Sequence, residues 1–156
     1  MIKKQIHEMM SREKLNCLSE SDSLHSFLSR KEKKTANCYI VDHQNTLKGI
    51  LSEKTVLQFI APMLPLLDEQ HTVSLMEKLK SISLSDLIDQ NFRTLSLTNT
   101  LSEILQDLTT SSHEAMAVVD SHGRLLGEVT INSLLAFLNS KNNCVEKSRS
   151  KFLKVV

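Results

Sequence analysis

The stretch CYIVDHQNTLKGILSEKTVLQFI at residues 38–60 returns as MAVVDSHGRLLGEVTINSLLAFL at residues 116–138. Asp42 falls on Asp120, Gly49 on Gly127, Ser52 on Thr130, Thr55 on Ser133 and Phe59 on Phe137, each pair 78 residues apart. Chance can give two stretches a similar hydrophobic pattern, but it rarely keeps polar and glycine landmarks in register as well. An internal repeat governs the whole fold, so it precedes any single motif. Working outward, LSESDSLHSFL from Leu18 lies on LSLTNTLSEIL from Leu95 at a separation of 77, and residues 6–10 match 84–88 at 78. The repeat therefore spans residues near 6–60 and near 84–138.

Each copy reads as a short strand, a helix, a strand pair and a closing helix. The short strands fall around residues 16–18 and 94–97. Leu24, Phe27 and Leu28 have helical spacing, as do Leu101, Ile104, Leu105 and Leu108. Thr100 and Glu103 fit a capping box, and Ser23 can cap the first copy's helix. Short apolar runs split by Asp42-His43-Gln44-Asn45 and by Asp120-Ser121-His122-Gly123 read as hairpin-like pairs. Ser52 and Thr130 can then cap closing helices. The expected fold class is α/β (α+β), with the order β-α-β-β-α twice: residues 1–60, then 84–140. In the linker, 61–83, Pro62 and Pro65 end the preceding helix. Val73, Met76, Leu79 and Ile82 recur every three residues and predict a helix packing across both repeats. The basic tail, 141–156, carries Lys147, Arg149, Lys151 and Lys154 against Glu146 and is expected to be partly disordered.

Composition narrows the function classes. With 156 residues and 40% hydrophobic content, the chain can fill one shared core. It has no run of roughly 20 apolar residues that would span a bilayer. The opening MIKKQIHEMMSREK lacks the apolar core of a secretory signal. Cys17, Cys38 and Cys144 are scattered, as idle thiols in a reducing cytoplasm would be. A net charge of +1 does not call for nucleic acid or an acidic membrane. Three glycines are too few and too far apart for a phosphate loop. His43 and His122 fall in turns, and His113-Glu114 precedes a strand. None belongs to a nucleophile, metal or acid–base constellation, so an enzyme is not expected.

The runs VD…GILSEKTVL and VVDSHGRLLGEVTINSLL resemble the closing half of a cystathionine-β-synthase (CBS) domain. There a strand ends in Asp, a second strand carries Gly, and Thr or Ser precedes an apolar helix. The resemblance implies a tandem CBS pair, or Bateman module. Its two repeats would pack through their sheets about a pseudo-twofold axis and leave two clefts. It further implies a cytoplasmic regulatory protein, often a homodimer, that binds AMP, ADP, ATP or S-adenosylmethionine between the repeats. Such a protein signals to an enzyme or transporter, here a separate one. The alternative is an interaction scaffold with degenerate clefts.

Where the family has Thr/Ser-x-x-Asp, this chain has Ser52-Glu53-Lys54-Thr55 and Thr130-Ile131-Asn132-Ser133. The leading hydroxyls lie at predicted helix N-termini, where N–H groups and the dipole favour a phosphate. The family's aspartate accepts hydrogen bonds from ribose hydroxyls; Thr55 and Ser133 replace it. A charge-assisted bond contributes about 1.5–3 kcal/mol and a neutral one about 1, so the loss weakens binding by roughly tenfold per site. The resemblance adds the backbone around Tyr39, Ile40, Ala117 and Val118, with Thr94 on the short strand. Tyr39 reads as a half-buried strand residue, with base stacking as the alternative. Arg93 reads as a surface residue, with a phosphate contact as the alternative. Glu53 is expected to face water. Simple alternation puts Glu128 on the face of Leu126 and leaves its direction open.

Overall fold

Asp42 and Asp120 open the turns that fold both repeats, and each does so with one carboxylate oxygen. Asp42 Oδ1 accepts from the N–H groups of Gln44 and Thr46 at 2.9 and 3.0 Å; Asp120 Oδ1 accepts from those of His122 and Arg124 at 2.8 and 2.9 Å. Asn45 (φ 64°) and Gly123 (φ 78°) follow in the left-handed region, which Asn and Gly enter most easily. These turns join β2 (Asn37–Val41) to β3 (Leu47–Ser52), and β5 (Ala115–Val119) to β6 (Leu125–Thr130). The computed structural model of the chain describes residues 2–11, 15–30, 37–66, 72–111 and 113–153.

A short parallel strand completes each sheet. β1 (Cys17–Ser19) lies beside β2, and β4 (Leu95–Ser96) lies beside β5, giving two three-stranded sheets. Helices α2 (Leu24–Leu28) and α5 (Leu101–Thr110) follow the short strands, and α3 (Glu53–Ile60) and α6 (Ile131–Leu153) close the repeats. The order β-α-β-β-α occurs twice, as the sequence implies. Ser23, Ser52 and Thr100 cap α2, α3 and α5. The capping box at Thr100 is only half made, because the Glu103 carboxylate instead takes a bond from the side-chain amide of Asn99.

The leading segments change places. Helix α1 (Ile2–Met9) runs into Met10, and Ile6, Met9 and Met10 are buried in the core of the second repeat with Leu95, Ile104 and Phe137. The equivalent residue 84 opens a 3-10 turn (Leu84–Asp86), and Leu84 joins the core of the first repeat with Leu24, Phe27 and Val56. Each exchanged segment ends by pairing with the other repeat's sheet. Ser11 and Glu128 exchange backbone bonds of 2.8 and 3.0 Å, and Asp89 and Ile50 exchange bonds of 3.2 and 3.4 Å. Gly127 and Gly49 make the approach possible. A Cβ on Gly127 would lie 2.6 Å from the Ser11 carbonyl oxygen and collide with Met10, and one on Gly49 would lie 2.7 Å from Ile88 Cβ.

The two sheets meet through Tyr39, Leu47 and Ile50 on one side and Ala117 and Leu125 on the other. Their turns exchange reciprocal bonds: Leu47 N–H donates to Gly123 O, and Leu125 N–H donates to Asn45 O, both at 3.0 Å. Gly123 and Asn45 are repeat equivalents, as are Leu125 and Leu47, so these bonds mark the pseudo-twofold axis.

One expectation needs correction. Helix α4 (Thr72–Ser81) does not pack across the repeats: Leu75 and Leu79 enter the core of the first, while Met76 is exposed. The buried stripe has four-residue rather than three-residue spacing, the separation that keeps side chains on one helix face. The basic tail begins as helix. α6 continues without a break to Leu153, and no Gly or Pro interrupts it after Thr130. Lys141, early in that extension, pairs with Glu8 at 3.5 Å and lies over the Phe137 ring.

Candidate functional site

Ser11 pairs with the second sheet and Cys17 with the first, and the chain crosses between the repeats again at residues 89–94. At the second crossing lies a cavity of about 290 Å³, near the small end of ligand pockets. Asp89, Asn91, Phe92 and Arg93 on the crossing form one wall. Thr110 at the end of α5, with Ser111 and His113 beyond it, forms another, and Ile50, Ala115 and Met116 on the strands form the floor. Both repeats therefore build the cavity. Phe92 is partly buried against the inter-sheet cluster and offers an aromatic edge. Arg93 is largely exposed and only 3.9 Å from Asp107, a separation at which an exposed pair contributes little and can give way to a better anion. Asp89 Oδ1 accepts from Asn91 N–H at 2.9 Å, which commits that oxygen to the turn. A cation, an imidazole, hydroxyls and one aromatic ring suit a planar ligand carrying negative charge. Residues 12–14 and 31–36 lie outside the described residues.

None of the nine residues singled out from the sequence lines this cavity; they divide by position. Thr94 follows Arg93 directly, and Thr130 is the strand partner of Ala115 on the floor. Ile40 and Val118 point into the two helical cores, while Ala117 and Tyr39 are fully buried between the sheets. Ser52 caps α3 through Thr55 N–H at 3.2 Å and lies 2.8 Å from the Thr55 hydroxyl. Thr130 and Ser133 satisfy one another. Thr130 Oγ1 accepts from Ser133 N–H at 3.0 Å, and Ser133 Oγ accepts from Thr130 N–H at 2.9 Å. Ser133 thus performs the reciprocal half of a capping box usually given to Glu or Gln, and its hydroxyl is engaged with backbone.

Tyr39 is not half-buried, and its ring has no open face for a base. Its hydroxyl donates to Glu128 Oε2 at 2.6 Å. Burial, and secondarily the neighbouring Glu128 charge, push the phenol far above its usual range, so it stays a donor. Glu128 does not face solvent and is 4% exposed. Simple alternation fails here because pairing steps from Gly127–Val118 to Leu125–Val119, leaving Leu126 as an extra, bulged residue. Leu126 packs on the helical core and Glu128 reaches the interface. Burial, then Cys38 and Glu128, also push the Cys17 thiol up to about 11, which suits an unreactive thiol. Glu53 is exposed, as expected. Among the described residues, no group of three or more His, Cys, Asp or Glu could hold a metal ion. No helix among them is long and apolar enough to cross a membrane.

Sequence patterns give little weight to Asp89, Asn91, Thr110 and Ser111. They lie in connections without periodicity, and the available signal is their position between the 84–88 landmark and the next strand.

Residues 84–140 match the model of the CBS domain family. No curated protein sequence matches the chain. A CBS domain protein from Streptococcus pneumoniae TIGR4 superposes with a TM-score of 0.70 at 16% identity, covering 88% of this chain and 84% of that one. CBSX2 in complex with AMP gives 0.67 at 23% identity, covering 86% and 96%. The cytosolic domain of the Mg2+ channel MgtE in complex with ATP gives 0.61 at 18% identity, covering 82% and 46%.

Proposed function

We propose, from the match of residues 84–140 to the CBS domain family and from the fold the chain shares with CBS-pair structures, that it is a regulatory module sensing an adenosine-containing ligand. The ligand, AMP, ADP, ATP or S-adenosylmethionine, enters the cavity at the second crossing. One observation carries this reading: the cavity is walled by both repeats and combines Phe92, Arg93 and His113. A ligand that touches both halves favours the arrangement in which both touch it, and that differential affinity is what a sensor transmits. The AMP complex of CBSX2 and the ATP complex of MgtE, which share the fold, support the ligand class. The lost aspartates make the affinity modest.

The signal passes to an enzyme or transporter, and the module acts as a homodimer in the cytoplasm. Leu57 and Leu135, 67% and 57% exposed, support a contact between copies. They are repeat equivalents, so each repeat presents one exposed leucine at the same place on its closing helix, and a second copy can bury both in a twofold contact. A second reading, a scaffold with empty clefts, is favoured by the mutual capping of Thr130 and Ser133, which leaves Ser133 no role toward a ribose.

Calorimetric titration with AMP, ADP, ATP and S-adenosylmethionine separates the two. Sensing requires saturable heat with at least one of the four, lost when Arg93→Ala removes the cation. Silence across the panel supports the scaffold.

A further inference from the structure

We infer that Asp107 sets the affinity of the second cleft, by competing with the ligand's phosphate for Arg93. This rests on the ligand-sensing reading above. Arg93 stands on the cavity wall, and its Nη1 lies 3.9 Å from Asp107 Oδ1. Its side chain is 73% exposed and that of Asp107 30%, so the guanidinium is free to turn from one anion to another. A phosphate can take two of its N–H groups at once, in shorter bonds than the one Asp107 makes.

Asp107 is poorly placed without that cation. It lies in the last turn of α5, where a helix presents unpaired carbonyl groups and the negative end of its dipole. No basic residue in that turn offsets it, and Arg93 supplies the positive charge from the neighbouring crossing. The carbonyl of Asp107 meanwhile supports the opposite wall, accepting from Ser111 N–H at 2.9 Å and from the Thr110 hydroxyl at 3.4 Å. One residue thus ties both walls together: its carbonyl holds Thr110 and Ser111, and its carboxylate holds Arg93. A phosphate that takes Arg93 leaves the Asp107 charge without its cation, and the two anions repel each other if they share it. Both effects oppose binding. Asp107→Asn removes both and keeps the backbone contacts.

Calorimetric titration with AMP and with ATP, at low and at high salt, reads the competition. Asp107→Asn should bind the nucleotide about two- to fivefold tighter than wild type at low salt. The gain should shrink at high salt, because the groups are exposed. Asp107→Glu, which keeps the charge, should show no gain, and adding Asp107→Asn to Arg93→Ala should gain less than it does in the wild type. Binding by Asp107→Asn no tighter than wild type, or a full gain in the Arg93→Ala background, overturns the inference and leaves ligand sensing intact. Failure of both nucleotides to bind the wild type overturns it too, and silence with ADP and S-adenosylmethionine as well overturns ligand sensing.

Discussion

The Tyr39 hydroxyl and Glu128 Oε2 lie 2.6 Å apart in the buried interface between the two repeats. Their symmetry equivalents, Ala117 and Ile50, have no polar side-chain atom, so the halves are alike in backbone and unlike at their contact. Removing the donor leaves a buried acceptor without its partner. Tyr39→Phe is expected to cost about 1–3 kcal/mol in urea unfolding. Glu128→Gln, which still accepts, should cost less. A Tyr39→Phe protein as stable as wild type would show that the bond contributes nothing.

The glycines of the second strands predict a second effect. Gly127→Ala drives a methyl group against Met10 and to 2.6 Å from the Ser11 carbonyl oxygen, while Gly49→Ala mainly meets Ile88. Overpacking costs about 1–3 kcal/mol. Backbone yields less readily than side chain, so Gly127→Ala should lower the denaturation midpoint more than Gly49→Ala. The reverse order would contradict the exchanged packing of residues 6–11.

The turn aspartates set an acid limit. Backbone N–H bonds, chiefly from Thr46 to Asp42 and from Arg124 to Asp120, hold both carboxyls below their ordinary value of 3.8. A depressed folded value means that the stabilisation is complete above the ordinary value and is lost as pH falls through the folded one. The Tm of the Asp42→Asn/Asp120→Asn protein should lie below wild type at neutral pH, and the gap should narrow as pH drops below 3.8. A gap independent of pH would contradict this account.

Leu57 and Leu135 predict the assembly state. The wild-type chain is expected to sediment as a dimer and the Leu57→Glu/Leu135→Glu chain as a monomer. Both side chains are exposed, so the double variant should keep its thermal stability as a monomer. A dimer that survives both charges would move the interface elsewhere.

The sequence reveals the elements whose causes are local. Asp42 and Asp120 mark turns because a carboxylate can bond two N–H groups ahead of it, and Ser52 and Thr130 mark helix starts because helices leave donors unpaired. The match of residues 6–10 with 84–88 is equally legible, but the exchange is not. Periodicity shows that Ile6 and Leu84 bury a face, and it does not show against which repeat. The direction of Glu128 depends on a bulge at Leu126 and on a partner 89 residues away in the chain. The cavity was hidden for a similar reason: Arg93 and Phe92 sit in a connection without a pattern, and only the crossing brings them opposite His113.

A crystal structure of the chain grown with AMP tests the central claim most directly. The nucleotide is expected between the 89–93 crossing and the wall of Thr110, Ser111 and His113, with its phosphate at Arg93 and its base against Phe92. An empty second cleft at saturating AMP would contradict it.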